Sequence, residues 1–166
     1  MKLAQLDALN QVAEFHRTFQ HPIEPHPVIP AEDRCRLRVA LIAEELKELQ
    51  EAIDNQDLVE IADALCDIQY VLSGAVLEFG LGEKFKSLFD EVQRSNMSKT
   101  CPTLEIAEAT QQHYREKDGT ESYIKQAGDH YLVYRSTDHK TLKSIHYSPA
   151  NLRSILKDSL EAEEVK

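Results

Sequence analysis

Apolar residues recur at helical spacing through the first hundred positions, and strand-like runs enter only after residue 120. Leu6, Leu9, Val12 and Phe15 predict a first helix over residues 3–18. Pro22, Pro25, Pro27 and Pro30 then impose an extended connector, because each fixes its own φ and disfavours helix at the residue before it. Val39, Ile42, Leu46, Leu49 and Ile53 form the core stripe of a second helix over 31–54. After a break at Asn55-Gln56, Asp57 caps a third helix, Glu60 makes a capping-box-like pair with it, and Gly80 ends it after Phe79. A fourth helix over 83–96 turns Phe85, Leu88, Phe89 and Val92 inward. The link between the second and third helices is so short that the two must lie antiparallel.

Beyond Lys99 the character changes. Thr103 opens a fifth helix that ends at Gly119, residues 123–126 and 131–134 read as strands around a Gly128-Asp129 turn, and Ser148-Pro149 carries the cap chemistry of a short last helix. The acidic tail Glu161-Ala162-Glu163-Glu164 is expected to fray. These elements predict a mostly α protein, with a four-helix-bundle-like core domain over 1–99. A C-terminal extension over 100–166 (helix, β-hairpin, short helix) is expected to pack on that core.

Composition narrows the partners. The 166 residues carry a formal net charge of −10, which repels nucleic-acid polymers and anionic membrane surfaces. An acidic chain still accepts an anionic substrate where carboxylates hold divalent cations that reverse the local sign. Cys35, Cys66 and Cys101 form no CxxC pair and suggest neither a disulfide framework nor a zinc site. No run approaches the roughly 18 apolar residues that span a bilayer, and the first residues, Met1-Lys2-Leu3-Ala4-Gln5, show no signal-type apolar block. The expected location is the cytoplasm.

The candidate chemistry lies in Glu44-Glu45-Leu46-Lys47-Glu48 and in Glu60-Ile61-Ala62-Asp63-Ala64-Leu65-Cys66-Asp67. At about 100° per residue, Glu44, Glu45 and Glu48 share one arc of the second helix, and Glu60, Asp63 and Asp67 a narrower arc of the third. Such runs are usually solvated faces, and Asp57 and Glu60 serve equally well as capping groups. Asp67 stands out, because from Ala64 to Leu77 only Asp67, Gln69 and Ser73 are plainly polar. A carboxylate buried there needs a cation, a hydrogen-bond network or protonation. A metal site and an Arg or Lys pair are equally open on spacing alone. All-oxygen ligands suit Mg²⁺ or Mn²⁺. None of the seven histidines follows a glutamate by three residues, which argues against a di-iron bundle.

These acidic segments resemble the all-α nucleoside triphosphate pyrophosphohydrolase superfamily, which includes MazG, dimeric dUTPases and phosphoribosyl-ATP pyrophosphohydrolase. The chain is most similar to the short MazG-like branch, through Phe15-His16-Arg17, Ile61-Ala62-Asp63-Ala64-Leu65, Asp67-Ile68-Gln69-Tyr70 and Ser73-Gly74-Ala75. Further blocks are Phe89-Asp90-Glu91-Val92-Gln93-Arg94-Ser95-Asn96-Met97-Ser98-Lys99 and, more loosely, Asp138-His139-Lys140-Thr141-Leu142-Lys143. The resemblance implies hydrolysis of nucleoside triphosphates, such as dUTP or another dNTP, to monophosphate and pyrophosphate. It implies that Glu45, Glu48, Asp63 and Asp67 hold Mg²⁺, with Mn²⁺ as substitute, and that Glu44 orients the attacking water or binds an additional metal. Glu60-x-x-Asp63 matches the superfamily's second ExxD literally, yet Ile68-Gln69-Tyr70 aligns Asp67 with the family aspartate, so Glu60 and Asp63 compete for the other position.

Arg94, Asn96 and Lys99 fall where the resemblance places the substrate cleft, with Lys143 a further phosphate candidate; placement of positive charge at a helix C-terminus explains the first three equally well. Phe15 reads as a core residue and His16 as a surface one, with a base pocket as the alternative. The third helix is apolar on more faces than one partner covers, and related enzymes assemble across subunits, so a homodimer or higher oligomer is expected. The competing function is a non-catalytic, acidic helical regulator that binds a basic partner. A phosphate-binding Gly-x-x-x-x-Gly-Lys-[Ser/Thr] loop is absent.

Overall fold

The computed structural model describes residues 3–163. Its elements are α1 (Ala8–Thr18), α2 (Glu32–Asp54), α3 (Leu58–Glu78), α4 (Phe85–Met97), α5 (Leu104–Asp118), β1 (Ser122–Ala127), β2 (His130–Arg135) and α6 (Leu152–Glu163). The fold is mostly helical with one small antiparallel sheet, as the periodicity predicts. No described helix is long and apolar enough to cross a membrane. The chain forms two compact units, one reaching Lys86 and rejoined by the chain from Leu156, the other Ser87–Ile155. The division falls ahead of most of α4 because that helix is tied to the segment after Ser144. Ser95 Oγ donates to the Tyr147 hydroxyl at 3.0 Å, Ser148 N donates to Ser98 Oγ at 3.0 Å, and Arg94 Nη2 donates to the Pro149 carbonyl at 3.0 Å.

In the first unit α1 and α2 both pack on α3. The α2–α3 link reverses within three residues: Gln56 takes a left-handed φ of 57°, and Asp57 N returns to the Ala52 carbonyl at 3.0 Å. Asp57 then caps α3, its carboxylate accepting from Val59 N at 2.9 Å and Glu60 N at 3.2 Å. At the other end Gly80 has φ +65°, and a Cβ there would lie 1.8 Å from the His26 carbonyl oxygen. That approach lets the proline-rich connector cross the end of α3, where Glu24 N and Val28 N bond the Leu77 and Phe79 carbonyls at 3.0 and 3.1 Å.

Several expectations are corrected. α1 begins at Ala8, because Leu3 and Leu6 are exposed and have no apolar surface to cover. Met1 and Lys2 lie outside the described residues, as does Glu164 of the acidic tail, into which α6 extends. α6 starts at Leu152, where Asn151 Oδ1 accepts from Ser154 N at 3.3 Å, while Ser148 belongs to the segment that Ser98 ties to α4. Val39, Leu46 and Ile53, read as core, are 68%, 59% and 48% exposed, and Phe89 also faces solvent. Leu65 and Leu72 are exposed as well, so the first half of α3 is not enclosed and Asp67 is only half-buried.

The second unit is organised by Cys101, Ala107, Val133 and Leu142, with Ile106, Tyr114, Ile124 and Tyr131 packed around them. Thr103 Oγ1 caps α5 and Gly119 closes it in the left-handed region. β1 and β2 pair from Ser122↔Arg135 to Ala127↔His130. Gly128, at φ +59°, supplies the positive first position that a two-residue hairpin loop requires.

The deepest charge in the first unit is Glu78, at the end of α3 and 1% exposed. Arg34 Nη2 and Arg38 Nη2 from α2 both bond its Oε1, and Arg34 Nε donates to Oε2 at 3.2 Å. Burial would raise the Glu78 pKa, but the bonds from Arg38 and Arg34 outweigh it and hold the carboxyl below its ordinary value. Glu78→Gln should therefore destabilise the protein by about 3 kcal/mol, because it leaves two guanidinium groups facing a neutral amide. With the folded pKa depressed, this stabilisation is complete above the unfolded value of 4.5 and disappears as pH falls through the lower folded value. Urea melts from pH 3 to 8 should show the wild-type advantage over the variant at neutral pH and its loss in acid. An equal difference at every pH would contradict the ionic reading.

Candidate active site

The carboxylates converge pairwise on Glu45. This half-buried side chain of α2 is pushed above its ordinary pKa by burial first, then by the negative charges of Asp67, Glu48, Glu44 and Asp63. Asp67 is the strongest of these neighbours although it comes from α3, so the antiparallel pairing does bring the two acidic arcs together. Glu44, Glu48, Glu60 and Asp63 are exposed. Among the described residues no three His, Cys, Asp or Glu side chains close on one ion-sized point. The donor set nevertheless fits a hard divalent cation: every candidate ligand is a carboxylate oxygen, and the repulsion felt at Glu45 is what such an ion relieves. Lys47, the cation within this stretch of α2, pairs with Glu51 at 3.1 Å.

The four phosphate-side candidates, Arg94, Asn96, Lys99 and Lys143, lie in the second unit. Arg94 donates to both Glu91 carboxylate oxygens at 2.8 Å, and Lys99 Nζ donates to Asn96 Oδ1 at 2.7 Å. Lys143 Nζ stands 4.4 Å from the centre of the Tyr147 ring. The Tyr147 hydroxyl accepts from buried Ser95, and that bond together with the charges of Lys143, Lys99 and Arg94 holds its pKa below the phenolic value, against burial. Arg94, Lys99 and Lys143 thus share one positive field centred on Tyr147, a residue the sequence reading passed over. Its only sequence signal is its place four residues beyond Lys143.

A second arrangement was missed altogether. His16 is 2% exposed, so its reading as a surface residue is wrong, and Phe15, read as core, is 36% exposed. His16 Nδ1 donates to the Pro22 carbonyl at 2.8 Å, which leaves Nε2 as the acceptor 3.4 Å from Arg38 Nη2. Burial, aided by the Arg38 and His21 charges, keeps the ring below the ordinary imidazole pKa, although the Pro22 bond and Glu78 act the other way. Gly74 makes this arrangement fit, because a Cβ there would approach Arg38 Nη1 to 2.6 Å and His16 Nε2 to 3.1 Å. The available signals were Arg34 and Arg38 one turn apart on α2, and Glu78 within Val76-Leu77-Glu78-Phe79.

Gly74→Ala should displace the Arg38 guanidinium and cost about 1–3 kcal/mol, as overfilling a packed site does. Chemical denaturation measures this directly, and a neutral substitution would show that Arg38 has another resting position.

The comparisons with known proteins identify the family. The model of the phosphoribosyl-ATP pyrophosphohydrolase family matches residues 12–96, a span that holds both acidic segments, Arg94 and Asn96. An uncharacterised protein of Acanthamoeba polyphaga mimivirus is 25% identical over 235 aligned positions, covering 87% of this chain and 94% of the viral protein. The family match supports a pyrophosphohydrolase of nucleotide-like substrates, a hydrolase of acid anhydrides. The chain belongs to the phosphoribosyl-ATP pyrophosphohydrolase family, within the all-α nucleoside triphosphate pyrophosphohydrolase superfamily.

Proposed function

We propose that this protein hydrolyses nucleoside triphosphates between the α- and β-phosphates, in a Mg²⁺-dependent reaction that yields monophosphate and pyrophosphate. The observation that carries the reading is the meeting of Glu45 and Asp67 across two antiparallel helices, with Glu44, Glu48 and Asp63 adding to the same negative field. Glu45, Glu48, Asp63 and Asp67 would hold the Mg²⁺, for which Mn²⁺ can substitute. When bound, it neutralises triphosphate charge and polarises the phosphoryl oxygens. Glu44, exposed beside Glu45, orients the attacking water and takes up its proton. Arg94, Asn96, Lys99 and Lys143 bind phosphate oxygens; the support is the positive field that Arg94, Lys99 and Lys143 share around Tyr147 and, for Asn96, the donor chemistry of its amide. A net charge of −10 favours a small metal-complexed nucleotide over a nucleic-acid polymer.

Pyrophosphate release should require Mg²⁺ and stop on chelation. Asp67→Asn should lower turnover at least 100-fold while the metal-free variant melts no earlier than wild type, since one member of a repelling set is neutralised. A variant that melts early yet keeps metal-dependent turnover would remove Asp67 from the site.

A second copy of the chain is the proposed partner. Val39, Leu46 and Ile53 on α2 and Leu65 and Leu72 on α3 are exposed and repeat every seven residues, the spacing by which helices pair along a seam. Identical faces of this kind close as a two-fold dimer. Light scattering should give a dimer or larger for the wild type and a folded monomer for Val39→Asp with Leu46→Asp. A monomeric, active wild type would contradict this assignment.

A further inference from the structure

Between Leu142 and Asn151 the second unit has neither helix nor strand, yet the backbone there is tied down almost residue by residue. Leu142 N donates to the Val133 carbonyl at 2.8 Å, Lys143 N to the Tyr114 hydroxyl at 3.3 Å and Ile145 N to Thr110 Oγ1 at 3.2 Å. His146 N and Tyr147 N turn back to the Ser144 hydroxyl and carbonyl at 3.2 and 2.8 Å, and Asn151 N donates to Glu91 Oε1 at 2.8 Å. An irregular segment fixed in this way holds its outward side chains in place before a ligand arrives, as a binding site requires. We propose that Tyr147 binds the phosphate chain of the substrate through its own hydroxyl and holds the Lys143 ammonium beside it, forming an anion seat that is assembled without metal. The proposal rests on the reading of the chain as a nucleotide pyrophosphohydrolase and adds a binding residue which that reading does not use.

The hydroxyl of Tyr147 has a proton to give. Buried Ser95 Oγ donates to it at 3.0 Å, so one lone pair is taken and the phenolic O–H is left for an acceptor. That bond, and then the charges of Lys143, Lys99 and Arg94, lower the phenol pKa against burial, which makes the hydroxyl a stronger donor to an anion.

The ring places a charge. Lys143 Nζ stands 4.4 Å from its centroid, and among the described residues this ammonium pairs with no carboxylate. An aromatic face fixes where a cation stands without cancelling its charge, as a carboxylate would. Arg94 shows the contrast, since Glu91 takes two of its donors and neutralises it. Lys99 Nζ is again bound to a neutral group, the Asn96 amide oxygen at 2.7 Å, which leaves the Asn96 NH₂ to donate elsewhere. The Tyr147 O–H, Lys143, Lys99 and the Asn96 amide are all donors, and no carboxylate stands among them. They suit a group with several oxygens and negative charge, which a triphosphate chain is and a nucleobase, with its mixed donors and acceptors, is not.

The test uses inorganic tripolyphosphate and the full-length protein in chelator, where neither a base nor a metal contributes. A chain of net charge −10 repels this anion in general, so binding reports a local seat. Calorimetric titration should show one tripolyphosphate bound per chain. Tyr147→Phe keeps the ring and removes the hydroxyl, and should weaken binding about tenfold, as loss of a hydrogen bond to a charged group does. Tyr147→Leu removes the ring as well. Lys143→Gln should then cost about tenfold beside Tyr147→Phe but less than about threefold beside Tyr147→Leu, where nothing holds the ammonium. An upfield NMR shift of the Lys143 ε-methylene protons reads the same ring contact in the unmutated protein, whether or not Tyr147→Leu folds.

Binding that Tyr147→Phe leaves unchanged, with or without a lower melting temperature, would reduce Tyr147 to a tie between this segment and α4 and overturn the proposal. Equal losses from Lys143→Gln in the two backgrounds, or unshifted ε-methylene protons, would overturn the part given to the ring. If triphosphates are hydrolysed with Mg²⁺ but tripolyphosphate does not bind in chelator, the seat fails and the proposed activity stands. If tripolyphosphate binds as expected but no nucleoside triphosphate is hydrolysed, the activity fails and the anion seat remains.

Discussion

The ion triad of Glu78 with Arg34 and Arg38 is the contact on which the first unit depends. A carboxylate at 1% exposure is tolerable only because two guanidinium groups reach it from the adjacent helix, one of them almost as deeply buried. Their bonds tie the start of α2 to the end of α3, and the tight Gln56 turn ties the opposite ends. Two helices fixed at both ends have one register, which determines that Asp67 faces Glu45. Arg38 also lines, with Phe15 and Tyr70, a cavity of about 230 Å³ in the first unit. One buried salt bridge therefore positions the carboxylates and the cavity together.

Charge is partitioned along the chain in keeping with the proposed chemistry. Glu44, Glu45, Glu48, Asp63 and Asp67 collect negative charge in the first unit, whereas Arg94, Lys99 and Lys143 collect positive charge around Tyr147 in the second. A triphosphate reaching a chain of net charge −10 is repelled unless cations accompany or receive it. Burial first, and then repulsion from Asp67, Glu48, Glu44 and Asp63, hold Glu45 above its ordinary pKa; a divalent ion of the kind the proposed function requires would relieve that repulsion.

The helices were legible because their apolar period and their caps agree. Asp57, Thr103, Gly80 and Gly119 each occupy the terminus their chemistry suits. The acidic arcs were legible for the same reason, since helical spacing fixes which side chains share a face. Burial was less legible. Val39, Leu46 and Ile53 have the spacing of a core stripe and lie exposed, because periodicity identifies an apolar face without saying what covers it. A buried acid does need a partner, but Asp67 is only half-buried; the acid that is enclosed is Glu78, whose cations lie 40 and 44 residues away. Local pattern carries no information about such distant pairing. His16 was misread for that reason too, as its partners Pro22 and Arg38 belong to a connector and another helix.

The central claim, that the acidic pair across α2 and α3 serves metal-dependent cleavage between the α- and β-phosphates, is tested most directly by following products with ³¹P NMR. Incubation of the full-length protein with each of the ordinary nucleoside and deoxynucleoside triphosphates and Mg²⁺ should produce, for at least one of them, monophosphate and pyrophosphate resonances from the earliest time points, with neither appearing in chelator. Accumulation of diphosphate with orthophosphate, or equal turnover without metal, would contradict the account.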